Sequence, residues 1–182
     1  MKTLVIGAHG LTGRRVVRRL LTQGHLPVAM IRRFEQKAVF DALGVSTVLG
    51  DLEYPIDHAV AGCDAVVLTA CSGSKTGKDK TVLIDHIGAI RAMVTAAVHG
   101  ARRFVLVSAL NADPQSHSSI GFYHRAKGHA DAFLRSMDKV MPDHPLDWTI
   151  FCPGRLTEEE GSGLVTVSPS VHAGAGVSET FL

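Results

Sequence analysis

Residues 2–22, KTLVIGAHGLTGRRVVRRLLT, decide the fold of this chain. The aliphatic and β-branched residues up to Ile6 predict a buried strand, and the apolar residues between Val16 and Leu21 recur at helical spacing. Three glycines separate the two segments: Gly7, Gly10 and Gly13. The stretch therefore predicts a strand, a glycine-rich turn and a helix in immediate succession.

The glycine-rich turn is typical of a loop that binds a pyrophosphate group. Gly7 permits the tight turn after the strand, Gly10 lets the backbone approach the phosphates, and Gly13 lets the helix lie close to the sheet. The positive end of the helix then faces the anion. We expect the intervening residues to contact the same ligand: His9, Leu11 and Thr12. A structural turn without a ligand is the alternative.

Further aliphatic segments alternate with helical ones along the rest of the chain. The predicted strands are Lys2–Gly7, Pro27–Ile31, Ser46–Leu49, Asp64–Ala70, Arg103–Ser108 and Asp147–Phe151. The predicted helices after the first are Phe34–Leu43, about Lys80–His99 and about Gly121–Met137. Apolar strands that alternate with helices specify a parallel sheet covered on both faces. We expect a single α/β domain over residues 1–182, a doubly wound sheet of the Rossmann type.

The second predicted strand ends in two arginines instead of an acidic residue. Dinucleotide-binding folds that prefer NAD place Asp or Glu about 20 residues after the glycines, where it binds the ribose 2′-hydroxyl. Arg32 and Arg33 occupy that place, and a guanidinium there can bind the 2′-phosphate of NADP. We therefore expect NADPH to be preferred over NADH. Arginines that merely solvate a strand end are the alternative, which is stronger for Arg33 than for Arg32.

Two loops complete the predicted cofactor site. The loop after the third strand carries Asp51, whose carboxylate can accept a hydrogen bond from the adenine amino group, although Asp is also an ordinary helix N-cap. The loop after the fourth strand lies at the edge where such sheets bind ligands. The predicted contacts in these loops are Asp51, Leu52, Ala70, Cys71 and Ser72. Residues 72–80, SGSKTGKDK, resemble a P-loop, but the first glycine and the magnesium-binding Ser/Thr are replaced by Ser72 and Asp79, which excludes that motif.

Tyr123 and Lys127 are four residues apart on a predicted helix, so they share one face. A phenol has a pKa near 10, so acid or base work at neutral pH needs a nearby cation, which Lys127 can supply while it also holds the nicotinamide ribose. Ser108 ends the fifth strand. We predict Tyr123, Lys127 and Ser108 as catalytic residues, with the phenol within hydrogen-bonding distance of Ser108 or the substrate. A Tyr–Lys pair on a surface helix is the alternative.

Several segments together resemble the atypical short-chain dehydrogenase/reductase group, in particular its bacterial NAD(P)-binding, sugar-epimerase-like or NmrA-like members. They are GAHGLTG (7–13), the strand end at Arg32, LGDL (49–52), DKTVLIDHIGA (79–89), RFVLVSAL (103–110), YHRAK (123–127) and DWTIFCPGRLTEEEGSG (147–163). The resemblance implies an NADP-binding Rossmann domain whose substrate cleft, formed by about residues 109–182, lies beside the nicotinamide. It also implies an oxidoreductase or epimerase-like enzyme on a small molecule. A non-catalytic NADP-sensing module of NmrA type is the alternative.

Two features depart from the pattern of that group. Cys152 precedes Pro153 and Gly154 after the sixth strand, where relatives usually carry an arginine that faces the cleft. Related chains also generally continue beyond residue 182 with another helix. We therefore expect a short C-terminal part, so that either a second subunit completes the cleft or activity is compromised. A homodimer would also bury Phe181, Leu182 and the long apolar helix.

Composition and charge exclude several classes of protein. Seven of the 19 basic residues lie within residues 1–33 and none of the 17 acidic ones does. Without interleaved aromatic residues or a nucleic-acid-binding motif, this pattern favours a phosphate-rich small ligand over nucleic acid. None of the ten histidines forms a metal-binding motif, so no metal site is predicted.

Cysteine usage and hydropathy predict a soluble cytoplasmic protein. The three cysteines, Cys63, Cys71 and Cys152, form no CxxC motif and no disulfide framework. The longest apolar region, Ile87–Leu110, contains charged residues, and no targeting segment precedes the first strand. We therefore expect neither a membrane partner nor a membrane span.

Overall fold

Six parallel strands form one sheet at the centre of the structure. The structure is a computed structural model that describes residues 1–73, 76–158, 165–167 and 179–181. The strands of the sheet are β1 (Lys2–Ile6), β2 (Leu26–Ile31), β3 (Ser46–Leu49), β4 (Ala65–Leu68), β5 (Arg103–Val107) and β6 (Asp147–Phe151). Their order is β3-β2-β1-β4-β5-β6, and each neighbouring pair is parallel. This is the doubly wound Rossmann arrangement that the sequence predicts.

Helices connect the strands of this sheet. They are α1 (Leu11–Thr22), α2 (Ala38–Asp41), α3 (Asp57–Val60), α4 (Lys78–Val98), α5 (Gly121–Arg135) and α6 (Met137–Val140), and a 3-10 turn at Phe34–Gln36 precedes α2. The middle of α4, Val82–Gly88, is π-helical. Two further strands, β7 (Val165–Val167) and β8 (Glu179–Phe181), pair antiparallel in a separate sheet.

The sheet buries apolar side chains on both faces. In β1, Val5 belongs to a cluster that includes Val17 of α1, whereas Leu4 belongs to a larger cluster that includes Met93 of α4 and Leu134 of α5. Successive strand residues point to opposite faces, so both faces of β1 must be covered. The helices therefore form one layer on each side of the sheet.

The predicted strands agree with the observed ones to within two residues at each end. The sequence did not predict the four-residue helices α3 and α6 or the short strands β7 and β8, because such elements contain too few residues to show a hydrophobic period. The helix predicted over Phe34–Leu43 is divided into the 3-10 turn and α2. Residues 159–164 of the C-terminal run and Leu182 lie outside the described residues.

Among the described residues, α4 alone is long and apolar enough to cross a membrane by length and composition. More than half of the most apolar 18-residue stretch of this helix is buried inside the protein, as in the core helix of a globular domain. The predicted lack of a membrane span stays a prediction.

Candidate functional site

A cavity of about 290 Å³ opens at the carboxyl ends of β1, β2 and β4. Strands β2 and β4 lie on opposite sides of β1, so the strand order reverses at β1. Doubly wound sheets bind ligands at this point of reversal. Eight of the predicted cofactor contacts line the cavity: Gly7, His9, Gly10, Arg32, Asp51, Leu52, Ala70 and Cys71. The fold thus brings together residues from four separate loops.

The glycines of the β1–α1 turn fit a loop that cradles a ligand. Gly7 has a φ of +81°, and a Cβ there would lie 2.6 Å from the backbone nitrogen of Ala70. A Cβ on Gly13 would collide with the carbonyl oxygen of Gly7 and with Ala8. A Cβ on Gly10 would instead meet only the Gly7 oxygen, at 3.3 Å, and Gly10 lines the cavity. Packing therefore requires Gly7 and Gly13, and Gly10 leaves room for a ligand beside the backbone.

Basic side chains lie near His9, which lines this cavity. Arg32 lines the cavity, and the His9 ring is hydrogen-bonded to the Arg14 guanidinium. Burial lowers the pKa of His9, and the charges of Arg14 and Arg33 lower it further. The lowered pKa favours the neutral form of His9, and Arg32 is the arginine that lines the cavity.

Gln36 fixes the backbone that carries the two arginines. Its Oε1 accepts hydrogen bonds from the backbone N–H of Arg32 at 2.9 Å and of Arg33 at 3.2 Å, and Gln36 itself lines the cavity. Gln36 is not predicted from the sequence, because its position one turn after the end of β2 is the only signal that it offers. Arg33 is exposed and is absent from the cavity lining, so its role stays a prediction.

Asp51 lines the cavity from the loop after β3. Its Oδ1 accepts a hydrogen bond from the backbone N–H of Glu53 at 3.0 Å. Helix α3 begins only at Asp57, so the alternative that Asp51 caps a helix is wrong. The neighbouring Leu52 carbonyl accepts a hydrogen bond from the Arg91 guanidinium of α4. The loop is thus anchored with Asp51 and Leu52 in the cavity wall.

Besides Arg33, five predicted cofactor contacts lie outside the lining of this cavity, and two of them, Thr12 and Lys127, line a second cavity. Leu11 is exposed at the start of α1, and Gly13 is buried against the turn. The backbone N–H of Ser72 donates to Asp85 at 3.0 Å, and its hydroxyl lies 3.2 Å from that of Thr81. Ser72 therefore fastens its loop to α4.

The second cavity, of about 600 Å³, adjoins the first and shares Thr69 and Cys71 with it. The three predicted catalytic residues line it: Ser108, Tyr123 and Lys127. Unpredicted residues from the loops after β5 and β6 complete the described lining, among them Leu110, Asn111, Ile120, Pro153, Arg155 and Leu156. Asn111 has a φ of 64°, which is uncommon for a residue with a side chain and gives this loop a sharp turn.

The ammonium group of Lys127 forms an ion pair with Asp85 inside the protein. Its Nζ lies 3.0 Å from Asp85 Oδ1, and both side chains are almost fully buried. Burial raises the pKa of Tyr123, and the neighbouring Cys71, Asp85 and Asp131 raise it further. The expected lowering of the phenol pKa by Lys127 is therefore not found in this arrangement: burial has the largest effect on the phenol, and Lys127 is paired with Asp85.

The Ser108 hydroxyl is hydrogen-bonded to the Asp131 carboxylate and not to the Tyr123 phenol. It donates to Asp131 Oδ2 at 2.9 Å. In the described part of the chain no hydrogen bond joins Tyr123 to Ser108, although both line the same cavity. Burial raises the pKa of Asp131 to about 6. No sequence pattern points to Asp131, which lies 23 residues after Ser108.

Cys152 lies near this pair, and burial raises the pKa of its thiol, as does Asp131. An arginine does face the cleft, since Arg155 lines the second cavity three residues later. Within the described residues no group of three or more His, Cys, Asp or Glu side chains is placed to hold a metal ion.

Comparisons with known proteins agree with this geometry. The model of a protein family described as NAD(P)H-binding matches residues 7–179. The uncharacterized sugar epimerase YhfK of Bacillus subtilis is 39% identical over 180 residues, which cover 96% of this chain and 81% of YhfK. Among solved structures, a putative NAD-dependent epimerase/dehydratase from Bacillus halodurans is 38% identical with a TM-score of 0.83, over 94% of this chain and 79% of that one. The oxidoreductase YlbE of Lactococcus lactis is 28% identical with a TM-score of 0.72, over 92% and 75%. The chain therefore belongs to the NAD(P)H-binding family and has the fold of the short-chain dehydrogenases/reductases.

Proposed function

We propose that the protein is an NADP(H)-dependent oxidoreductase or epimerase-like enzyme that acts on a small molecule. The observation that carries the proposal is the pair of adjoining cavities. One is lined by the glycine turn and the other by Tyr123 and Ser108, and Thr69 and Cys71 belong to both. A ligand that extends across this boundary reaches both sets of residues.

The preference for NADPH is supported by the charges around the first cavity. Arg32 lines it, Arg14 and Arg33 lie close enough to His9 to lower its pKa, and Gln36 holds the backbone in place. Guanidinium groups bind phosphate oxygens with charge-assisted hydrogen bonds. The acidic residue that binds the ribose 2′-hydroxyl in NAD-preferring folds follows β2. In the described lining the carboxylate belongs to Asp51, which follows β3, so it does not occupy that position.

The protonated state of Tyr123 favours the reductive direction. A bound nicotinamide cofactor supplies the hydride that forms the new C–H bond of the substrate. The carbonyl oxygen gains negative charge as this bond forms, and the phenol of Tyr123 donates its proton to that oxygen. An alkoxide is more basic than a phenolate, so a phenol with a raised pKa still gives up this proton. Solvent then returns a proton to the phenolate.

A non-catalytic NADP-sensing module is the second candidate. It is favoured by the Lys127–Asp85 ion pair and the Ser108–Asp131 hydrogen bond, which occupy two of the three predicted catalytic side chains. In such a protein the second cavity would serve recognition and not turnover.

Turnover of NADPH with a panel of small carbonyl compounds distinguishes the two candidates. We expect the parent protein to oxidise NADPH with at least one compound, and Tyr123→Phe to abolish this activity with almost unchanged NADPH affinity. Tyr54→Phe is the matched control, because Tyr54 is the other tyrosine and is exposed. A Tyr123→Phe variant as active as the parent, or no oxidation above background with any compound, would contradict catalysis.

We also propose that the protein is a cytoplasmic homodimer. Helix α4 exposes Ile87 and Val98, each more than 40% exposed, and an apolar helix face is stabilised when a second subunit covers it. Light scattering that gives a monomeric mass at high micromolar concentration would contradict the dimer.

A further inference from the structure

Asp85 is a carboxylate buried inside an apolar helix. It lies in the π-helical part of α4, where its neighbours include Ile84 and Gly88, and its exposed fraction is 1%. A π-helical turn shifts the side chains that follow it relative to an α-helix, and such segments often lie at functional sites. A buried charge is costly unless it is paired, so Asp85 must have a partner.

The two oxygens of Asp85 join two parts of the site. Oδ1 lies 3.0 Å from Lys127 Nζ on α5, and Oδ2 accepts a hydrogen bond from the backbone N–H of Ser72 at 3.0 Å. Ser72 follows Cys71, which lines both cavities. Asp85 therefore connects the loop at the boundary of the two cavities to the helix that carries Tyr123.

Asp85 also determines the net charge beside the phenol. Lys127 Nζ lies 5.9 Å from the centre of the Tyr123 ring, which is close enough for an unpaired ammonium to stabilise the phenolate. The groups facing Tyr123 are Cys71 from the β4 loop, Asp85 from α4, and Asp131, Lys127 and His124 from α5. Of these, Lys127 carries the ammonium group, and Asp85 is its paired counter-ion.

We propose that Asp85 is a positioning residue that neutralises Lys127 and thereby keeps the Tyr123 phenol protonated, while it holds the Ser72 loop against α4. The role of the phenol as proton donor rests on the proposed function. The dependence of its protonation on Asp85 does not, since Asp85 adds its negative charge to the effect of burial and is paired with Lys127 whether or not a substrate binds.

Ultraviolet titration of the tyrosines tests this proposal without a substrate. Tyr123 and Tyr54 are the two tyrosines of the chain, so a Tyr54→Phe background leaves one phenol to observe. In that background we expect no phenolate absorbance at the ordinary pH of tyrosine ionisation, near pH 10. Phenolate formation at or below that pH would overturn the proposal.

Asp85→Asn in the same background removes the counter-ion and keeps the size of the side chain. We expect the ionisation midpoint of Tyr123 to fall by about one to three pH units, because the phenolate then no longer faces the Asp85 carboxylate. Asp131→Asn is the matched control: it removes another carboxylate near the phenol but leaves the Lys127–Asp85 pair intact, so we expect a much smaller shift. A folded Asp85→Asn protein that titrates like the parent would overturn the proposal.

Circular dichroism at neutral pH establishes whether Asp85→Asn folds. If it does not, Asp85→Ser is titrated instead, since it leaves room for water beside Lys127, and the same midpoint shift is expected. If neither variant folds, Asp85 is a structural residue and the proposal is overturned. A shifted titration together with no NADPH oxidation would refute the proposed reaction and leave the role of Asp85 intact.

Discussion

At the scale of single residues, the glycines of the β1–α1 turn serve two purposes. Gly7 and Gly13 are glycines because the protein's own backbone occupies the space of a Cβ, whereas Gly10 has only one close neighbour on that side. Gly10 also has a φ of −67°, which any L-residue adopts. A ligand explains the glycine at this position better than packing does.

We predict that Gly10→Ala and Gly13→Ala separate binding from stability. Gly13→Ala should destabilise the fold by about 1–3 kcal/mol, because the new methyl group overpacks a buried turn. Gly10→Ala should cost less stability and weaken NADPH binding by about tenfold or more, which is about 1.4 kcal/mol. Thermal unfolding and calorimetric titration measure the two effects. Equal NADPH affinity of Gly10→Ala and the parent would contradict the ligand explanation.

Asp131 makes the stability of the fold depend on pH. Its pKa is raised from 3.8 to about 6 in the folded protein, so the fold binds more protons than the unfolded chain between these two values. The contribution of Asp131 to the free energy of unfolding therefore falls as the pH rises from about 4 to about 6.

We expect Asp131→Asn to remove this dependence. The variant should be more stable than the parent above pH 6 by up to about 3 kcal/mol, and the difference should vanish below about pH 4. Denaturant unfolding at several pH values measures it. A stability difference that does not change with pH would show that the burial of Asp131 does not raise its pKa.

At the scale of helices and strands, the sequence predicts the regular elements well and the contacts of their polar residues poorly. The sheet and the first cavity could be predicted, because the apolar strands and the glycine turn that form them have local sequence patterns. The pair Asp85–Lys127 joins residues 42 positions apart, and Ser108–Asp131 joins residues 23 apart. Spacing along a helix placed Tyr123 near Lys127 but could not reveal that Asp85 from another helix takes the lysine's charge.

Helix α4 and the cofactor cavity are connected through Gly88. A Cβ on Gly88 would lie 2.8 Å from the Cβ of Leu52, and Leu52 lines the cavity. We predict that Gly88→Ala displaces the Leu52 loop, destabilises the fold by about 1–3 kcal/mol and weakens NADPH binding. Lys78→Ala is the control, because Lys78 is exposed at the start of the same helix. Thermal unfolding and NADPH titration measure both variants. If Gly88→Ala, like the control, had the parent's unfolding temperature and NADPH affinity, this close contact would be contradicted.

At the scale of the whole molecule, the order of the strands decides where chemistry can occur. The reversal between β1 and β4 opens the first cavity, and the loops after β5 and β6 surround the second. The charge distribution matches this layout, since the basic residues of the first 33 positions include Arg14, Arg32 and Arg33. We therefore propose that this edge of the sheet binds NADP(H).

Calorimetric titration of the parent protein with NADPH and with NADH tests that claim most directly. We expect NADPH to bind more tightly, and Arg32→Ala to remove most of the difference, because a charge-assisted contact contributes roughly 1.5–3 kcal/mol, or about tenfold to a hundredfold in affinity. Arg33→Ala, which changes an exposed arginine outside the cavity lining, should retain most of the preference. Equal affinities of the parent for NADPH and NADH would contradict the account.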